Sequence, residues 1–518
     1  MNQVVQRLGQ WFTLHETIVP WFLFIGLLTI YLAFPTRNYY WDGITFARAI
    51  ENASDFKSLI HPSHLLYNVV GYSFFHLLRR VGFDLRAVTA LQILNAFLSA
   101  AAAIVFFFIL KSVLRSLYLA TSLTLLFGLS ATWWKFSTDA DAYIISVLLL
   151  LIGFHFILRP DRPRPVVLAI FYTLSMCFHE LAIFFGPVVS VGLVYQHQAT
   201  TKQKVRSLLW FWLLSVVLTS TIYFYCFYIA THKVYLTSFV RWLTYYSPDA
   251  SFTFNVWNDL GYTTRGHFRL FLSGRLNLLQ GLLNPAIAVL IALLVIVLSL
   301  LLYLVFRRLR LHARQSVRNL LTDRHGRPAL IVAAVWASVY LVFLFVWLPQ
   351  NTFYRLFYLP ALIVLIGLLA WIRYPHGEYR PGYRVLALAI AAGLANFLFF
   401  IFPYSHTQKF PPTRFALEMN AQWHGKTLVY YDAENSDNNL VRYFAPNTTW
   451  VQLTDPGTVE NEMKILSPDW NVWLETTAVD RLASTPEGAE WLKLHGKPNS
   501  RRVLDDKGFR MEFVQMLR

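Results

Sequence analysis

Two cysteines in 518 residues, Cys177 and Cys226, both inside apolar runs, leave no disulfide framework and no cysteine zinc site. Charge is also scarce: Asp, Glu, Lys and Arg make up 14% of the chain, against about 25% in an ordinary soluble domain. There is neither a GxGxxG fingerprint nor a Walker motif, so no loop for a nucleotide phosphate can be read. No internal repeat and no inverted symmetry of the kind common in secondary transporters is visible. What is abundant is apolar: 56% of the residues fall in the hydrophobic set, in runs long enough to cross a bilayer. That excludes a soluble multidomain enzyme, a disordered chain and a collagen-like one.

The net charge of +17 is unevenly spread. Residues 404–518 hold 13 Lys and Arg against 15 Asp and Glu, a net of −2; the preceding 403 residues hold 32 against 13, a net of +19. The basic excess thus sits in the apolar part, where Lys and Arg crowd cytoplasmic loops for reasons of insertion topology. No nucleic-acid partner is needed to explain it.

A bilayer core takes about twenty apolar residues per helix. On that measure eleven spans are expected, at 18–34, 87–110, 117–131, 140–158, 166–177, 181–195, 208–229, 284–306, 329–348, 356–372 and 385–402. Basic residues fall in alternate connections: Lys111 and Arg115; Arg159, Arg162 and Arg164; Lys202, Lys204 and Arg206; the arginines of 307–327; Arg373, Arg380 and Arg384. Taking these loops as cytoplasmic puts the N-terminus inside and residues after 403 outside. The first span lacks a small-residue cleavage site after it and is expected to remain as an anchor. The expected organisation is a mainly α, polytopic membrane region, 1–403, with outer loops 35–86 and 231–281. A small extracytoplasmic α/β domain, 404–518, follows it, with strands at 427–431 and 470–474 and helices at 478–483 and 486–494.

Ionisable groups near membrane depth are costly, so their placement is informative. On the expected topology, acids outside the cytoplasmic loops gather at the outer mouths of spans: Asp42 in Tyr39-Tyr40-Trp41-Asp42-Gly43, Asp139 and Asp141 before Tyr143, and Glu180 after His179. Brought to one water-lipid boundary, these carboxylates would make a basin in which one acts as base and others position it or a cation. Asp42 reads equally well as the N-cap of a helix over 43–49, and Asp139 or Asp141 as a cap of the fourth span, although one cap needs only one acid. Tyr39, Tyr40, Trp41, Trp133 and Trp134 are expected in an interfacial aromatic belt rather than in a cleft. His61 and His64 precede an aromatic helix ending in Arg79 and Arg80, expected to lie along the outer interface; their spacing fits no standard zinc pattern. Arg355 stands at an outer span end with no acid near it in sequence. Its planar, permanently charged fork suits an anionic headgroup, and snorkelling to lipid phosphates would suit it equally.

The order of these motifs resembles the GT-C glycosyltransferases, most closely the protein O-mannosyltransferase-like group. That group's His-Pro-Pro-Gly-Tyr-Pro-Leu-Tyr is similar to His61-Pro62-Ser63-His64-Leu65-Leu66-Tyr67, and its Trp followed by Glu-x-Tyr is similar to Trp134 with Asp141-Ala142-Tyr143. The resemblance covers about 36–193 by motif and the remainder by architecture. Trp41-Asp42-Gly43 lacks the paired acid of the protein mannosyltransferases, and Ser63-His64 replaces the second proline, which leaves the acceptor class open.

The resemblance implies a GT-C-like fold and transfer, at the outer membrane face and with inversion, from a polyprenyl-phosphate-linked sugar to a hydroxyl of a glycan, lipid or protein. It makes Asp42 the general base and Arg355 the holder of the departing lipid phosphate. Asp139, Asp141, Tyr143, Lys135, His61, His64, His179 and Glu180 become lining residues of the donor and acceptor pocket. No cofactor is required by it, a divalent cation is compatible with it, and a bacterial inner membrane is the expected location. The rival expectation is a transporter or flippase for a lipid-linked or small solute. It would place acids near the midplane of the spans and show repeat symmetry.

Overall fold

The computed structural model describes residues 17–159, 163–195, 199–244, 255–274, 326–371, 380–406 and 411–517. It omits 424, 434–435, 454, 468, 499 and 507–508, and it includes five isolated positions between 289 and 303. In chain order the first helices are α1 (Val19–Ala33), α2 (Trp41–Glu51), α3 (Tyr67–Arg80), α4 (Ala87–Leu114), α5 (Leu117–Gly128), α6 (Ala131–Ser137), α7 (Tyr143–Leu158) and α8 (Pro165–Phe178). They are followed by α9 (Gly186–Val194), α10 (Thr201–Thr231), α11 (Leu236–Leu243), α12 (Val256–Phe271), α13 (Gly326–Trp347), α14 (Leu359–Trp371) and α15 (Arg380–Asn396). The chain divides into two compact units, one of Met1–Thr36 with Ala49–Ser405, the other of Arg37–Arg48 with His406–Arg518. Composition draws its boundary at 403–404 and does not detect that the segment before Arg48 groups with the tail.

In the first unit the central helix is α4, buried along nearly its whole length from Ala87 to Leu114. Its apolar run stops where Arg115 takes a left-handed conformation, φ 51°. α10 is peripheral, with Leu209, Leu213 and Tyr225 exposed, as expected of a side facing lipid. It starts at a capping box in which the Thr200 hydroxyl accepts from the Gln203 amide and the Gln203 side chain accepts from the Thr200 amide. α8 starts on Pro165, whose missing N–H is no loss at the first helical position.

All of the expected spans except 284–306, which lies outside the described residues apart from isolated positions, contain an apolar helix. Among the described residues, however, only four helical stretches, α4, α10, α13 and the one beginning in α15, are long and apolar enough to cross a membrane unaided. A fifth is reached if α5 and α6, bent by 66° to one another, count as one span. α1, with 15 residues, spans about 22 Å of a core about 30 Å thick. Length alone therefore does not give eleven crossings.

The bend at α5–α6 overturns one expectation. Trp133 and Trp134 are not belt residues: they lie on α6, a buried helix, and are 0% and 3% exposed. Trp133 packs on Phe127, with ring centroids 4.1 Å apart, and Trp134 stacks with Phe397 at 6.0 Å. The turn after α8 is a break: His179 is extended, a 3-10 turn runs over Glu180–Phe185, and α9 follows.

The second unit holds a five-stranded sheet of β1 (Lys426–Tyr431), β2 (Thr448–Gln452), β3 (Trp470–Glu475), β4 (Arg502–Asp506) and β5 (Phe509–Gln515), in the order β2-β1-β3-β5-β4. β1 pairs in parallel with β2 and β3, while β5 runs antiparallel to β3 and β4. The first unit ends in the short helix α16 (Phe402–His406), and the helices of the second are α17 (Pro411–Gln422), α18 (Ser436–Phe444), α19 (Pro456–Ile465), α20 (Thr476–Ala483) and α21 (Pro486–His495). Leu428, Tyr430, Val472 and Leu474 put one face of β1 and β3 against Ala478, Val479 and Leu482 of α20. Tyr39, just before α2, lies 5.8 Å from the Phe444 ring, and Arg48 hydrogen-bonds the Asn439 side chain, both on α18.

Candidate functional site

Two polar residues three apart on α4 organise the first part of the site. Gln92 donates to the carbonyls of Thr36 (2.8 Å) and Thr138 (2.9 Å), and Asn95 donates to those of Asp139 (2.8 Å) and Asp141 (2.7 Å). The Tyr67 hydroxyl also lies 3.2 Å from the Asn95 amide nitrogen. An apolar helix has no backbone donors to spare for a neighbouring loop, so side-chain amides hold the 138–141 turn in place.

That turn presents both carboxylates to the interior. Asp139 is 0% and Asp141 1% exposed. Neither caps α7: the cap position is Ala142, which offers no side-chain acceptor. Each carboxylate instead accepts from the next amide, Asp139 from Ala140 and Asp141 from Ala142. Lys135, buried one turn earlier on α6, pairs with Asp139 and lies 4.5 Å from the Phe136 ring centroid. A buried carboxylate is tolerable when paired in this way.

Tyr143 links this turn to a cluster of histidines and aromatics. Its ring lies 5.1 Å from His179, which is 4.7 Å from His64, in turn 5.2 Å from His61. His64 Nδ1 donates to the Phe178 carbonyl (3.0 Å), whereas His179 Nδ1 accepts from the Leu181 amide (3.2 Å), which fixes a neutral His179 protonated on Nε2. Burial pushes the His61 pKa down to about 3, with His64 nearby adding to the effect. Burial takes His64 down to about 4, against the opposing hydrogen bond to Phe178. Both are neutral donors and acceptors at ordinary pH. Ser63 hydrogen-bonds Glu180 and so ties the His61–His64 turn to the break after α8. Among the described residues, no three His, Cys, Asp or Glu converge as metal ligands.

Arg355 sits in a 3-10 turn, Phe353–Phe357, whose Phe353, Tyr354 and Phe357 rings pack on Tyr143 at 5.4, 5.9 and 6.4 Å. It is 0% exposed, which rules out snorkelling to a lipid surface. Nη1 donates to the Tyr358 hydroxyl (2.9 Å) and Nη2 to the Pro349 carbonyl (2.6 Å). Both acceptors are neutral, and no carboxylate among the described residues forms an ion pair with Arg355. Nε has no partner. The chain of donors continues outward: the Tyr358 hydroxyl donates to His267 Nε2 (2.9 Å), and His267 Nδ1 donates to the Thr263 carbonyl (2.8 Å). Burial lowers the His267 pKa, as does the positive Arg355, while the Thr263 hydrogen bond opposes them. Gly266 on α12 covers the guanidinium so closely that a Cβ there would lie 2.8 Å from Nη2 and 2.9 Å from Cζ.

Beside this cluster is an apolar groove of about 370 Å³ with Glu180, Tyr223, Phe184, Phe343 and Trp347 in its wall. Trp347 stacks on Tyr354 at 5.6 Å, next to Arg355 in sequence. Asp42 belongs to the second unit. It lies in the first turn of α2, which starts at Trp41, so it is not the cap of that helix, and its negative charge there suits the helix N-terminus.

The structure thus brings Lys135, Asp139, Asp141, Tyr143, His61, His64, His179, Glu180 and Arg355 into one connected region of the first unit. The sequence reading did not name Gln92, Asn95, Gly266, His267 and Tyr358 as site residues. Gln92 and Asn95 had a readable signal, two amides on one face of an otherwise apolar helix; Gly266 and His267 had none before α12 was placed.

No family model matches the chain, and no curated protein does. Among solved structures, the chain is similar to ArnT from Cupriavidus metallidurans bound to undecaprenyl phosphate, with a TM-score of 0.59 at 12% identity over 98% of each chain. The apo state of the same protein gives 0.57 at 13% identity, again over 98% of each. An oligosaccharyltransferase of Archaeoglobus fulgidus, in complex with zinc and sulfate, gives 0.49 at 12% identity over 94% of this chain and 72% of that one. At such identities the likeness to ArnT is one of fold.

Proposed function

We propose that this chain, a membrane protein with the fold of the GT-C glycosyltransferase ArnT, moves a sugar from a polyprenyl-phosphate carrier to an acceptor hydroxyl at the outer membrane face. The observation that carries the proposal is Arg355, a fully buried guanidinium with two of its five N–H donors given to neutral acceptors and no carboxylate partner among the described residues. An uncompensated buried cation is costly unless it serves an anion, and a phosphate is the anion that a guanidinium recognises best. The undecaprenyl phosphate held by ArnT supports a phosphate joined to a long isoprenoid chain. The apolar groove with Trp347 in its wall would take that chain.

In the proposed reaction Asp42 removes the proton of the acceptor hydroxyl, whose oxygen attacks the anomeric carbon from the face opposite the carrier. The bond from that carbon to the phosphate oxygen breaks, its electron pair stays on the polyprenyl phosphate, and the configuration inverts. Arg355 stabilises the charge that accumulates on the leaving phosphate. Lys135, through its pair with Asp139, keeps the 138–141 turn rigid. Asp141 and Tyr143 shape the pocket, with His61, His64, His179 and Glu180 as neutral or weakly charged lining. A bacterial inner membrane, with the sheet-bearing unit on the periplasmic side, fits the loop charges.

The test uses the purified full chain in lipid nanodiscs, with polyprenyl-phosphate sugars as donors and a panel of lipid, glycan and peptide acceptors. Release of free polyprenyl phosphate coupled to an inverted product is expected with at least one pair. Movement of the intact lipid-linked sugar between leaflets, without bond cleavage, would replace the enzyme by a flippase.

A further inference from the structure

The base of the proposed reaction is carried by a helix with little intrinsic stability. α2 has eleven residues, with Gly43 at its third position. Isolated helices shorter than about 12–15 residues are marginal in water, and a glycine inside one weakens it further. Tertiary contact must therefore hold it, and Ile44, Phe46 and Ala47 are indeed buried. Two further contacts go to a single element of the same unit. Tyr39, two residues before the helix, lies 5.8 Å from the Phe444 ring, and Arg48, near its end, donates to the Asn439 side-chain oxygen; both partners belong to α18. The earlier residue of one segment meets the later residue of the other, so the two run in opposite directions. Asp42 falls between the contacts, three residues after Tyr39 and six before Arg48. A helix held at one point can pivot, whereas one held on both sides of Asp42 keeps that residue in place. α18 is itself fixed to the sheet: Leu440, Val441 and Tyr443 are buried, and the Arg442 guanidinium lies 4.0 and 4.7 Å from the ring centroids of Tyr431 on β1 and Trp450 on β2.

We propose that Asn439 and Phe444 are positioning residues for sugar transfer: through Arg48 and Tyr39 they hold α2 and keep the Asp42 carboxylate in its working place, which gives the sheet-bearing unit a part in catalysis. The inference rests on the reading of Asp42 as the base. A base has to stay within hydrogen-bond reach of the hydroxyl it deprotonates, and a displacement of about 1 Å can cost about 10²-fold in rate. Loosening α2 therefore lowers kcat and leaves donor binding, which depends on Arg355, as it was.

The test compares the unsubstituted full chain in lipid nanodiscs with four variants. Asn439→Leu and Phe444→Leu each remove one contact. Asn439→Asp keeps an acceptor for Arg48, and Lys426→Gln breaks an exposed ion pair with Asp469 at the start of β1. Hydrogen exchange of the amides of 43–48 is expected to quicken in the two Leu variants, with that of α4 unchanged, and to stay at the unsubstituted rate in the other two. With the polyprenyl-phosphate sugar and acceptor selected by the panel above, kcat should fall about 10²-fold in Asn439→Leu at an unchanged donor KM, and Asn439→Asp should restore it. Combined with Asp42→Asn, Asn439→Leu should add no further loss, since a base already removed cannot be misplaced. Exchange or kcat unmoved by both Leu variants, or a loss that multiplies with that of Asp42→Asn, overturns the inference and leaves the base assignment standing. Turnover retained by Asp42→Asn alone removes the base and the inference with it, a result distinct from the others. If Asn439→Leu does not fold, Phe444→Leu, at the other end of the clamp, decides.

Discussion

Arg355 is held by contacts that can be broken one at a time. Gly266 leaves room for it, and a methyl group there would press on the guanidinium. Because the side chain is buried and bonded at both ends, it can give way only by leaving Pro349 or Tyr358. Gly266→Ala is expected to destabilise the protein by about 1–3 kcal/mol, as overpacking usually does. It should also weaken polyprenyl-phosphate binding more than Tyr358→Phe, which removes a single neutral acceptor worth about 1 kcal/mol. Thermal unfolding and a lipid-phosphate binding isotherm, measured on both variants, check the order.

The histidines make a second prediction at this scale. His61 and His64 are pushed down to about 3 and about 4 from an ordinary value near 6.5. The unfolded chain therefore takes up their protons first as pH falls. Their stabilising contribution is complete above about pH 6.5 and declines as pH drops toward 4. Melting temperatures taken across that window should fall, and the slope should flatten when both are replaced by Gln. A slope unchanged by the double replacement would mean that other groups cause the acid sensitivity.

At the scale of elements, α4 does more than span. Asn95 satisfies two carbonyls of the turn that carries Asp139 and Asp141, so Asn95→Leu would strand buried acceptors at about 1–3 kcal/mol each. Activity should fall more steeply than folding, because the loosened turn is part of the pocket. Circular dichroism and turnover measured on the same preparation separate the two. Much of the element pattern was legible in the sequence for simple reasons. The run over 87–110 is apolar and unbroken, and it extends to Leu114 because Lys111 can reach outward from a helix end. The unbroken run of β-branched, apolar and aromatic residues over 427–431 marks β1. β2 and β4 were not read because they are edge strands with the sequences Thr-Thr-Trp-Val-Gln and Arg-Val-Leu-Asp-Asp, whose polar side chains need no core. α6 was misread because Trp133-Trp134-Lys135 has the composition of an interface, and only the 66° bend after α5 turns those rings inward.

For the whole molecule, the division into units is the feature a linear reading could not supply: Arg37–Arg48 groups with the tail through contacts to residues about 390 positions away, such as Asn439. The site was legible in part for the opposite reason, because acids before Tyr143 and an unpaired arginine near a span end are conspicuous in a chain with only 14% charged residues. Their supports, Asn95, Gly266 and His267, became visible only in three dimensions. The most direct measurement for the account as a whole is sugar transfer by Asp42→Asn in the purified chain, with retention of polyprenyl phosphate measured in parallel. Asn has nearly the shape of Asp and cannot take the acceptor's proton, so turnover should drop about 10²- to 10⁴-fold while retention of the lipid phosphate stays unchanged. Transfer persisting near the unsubstituted rate would contradict the assignment of Asp42 as the base.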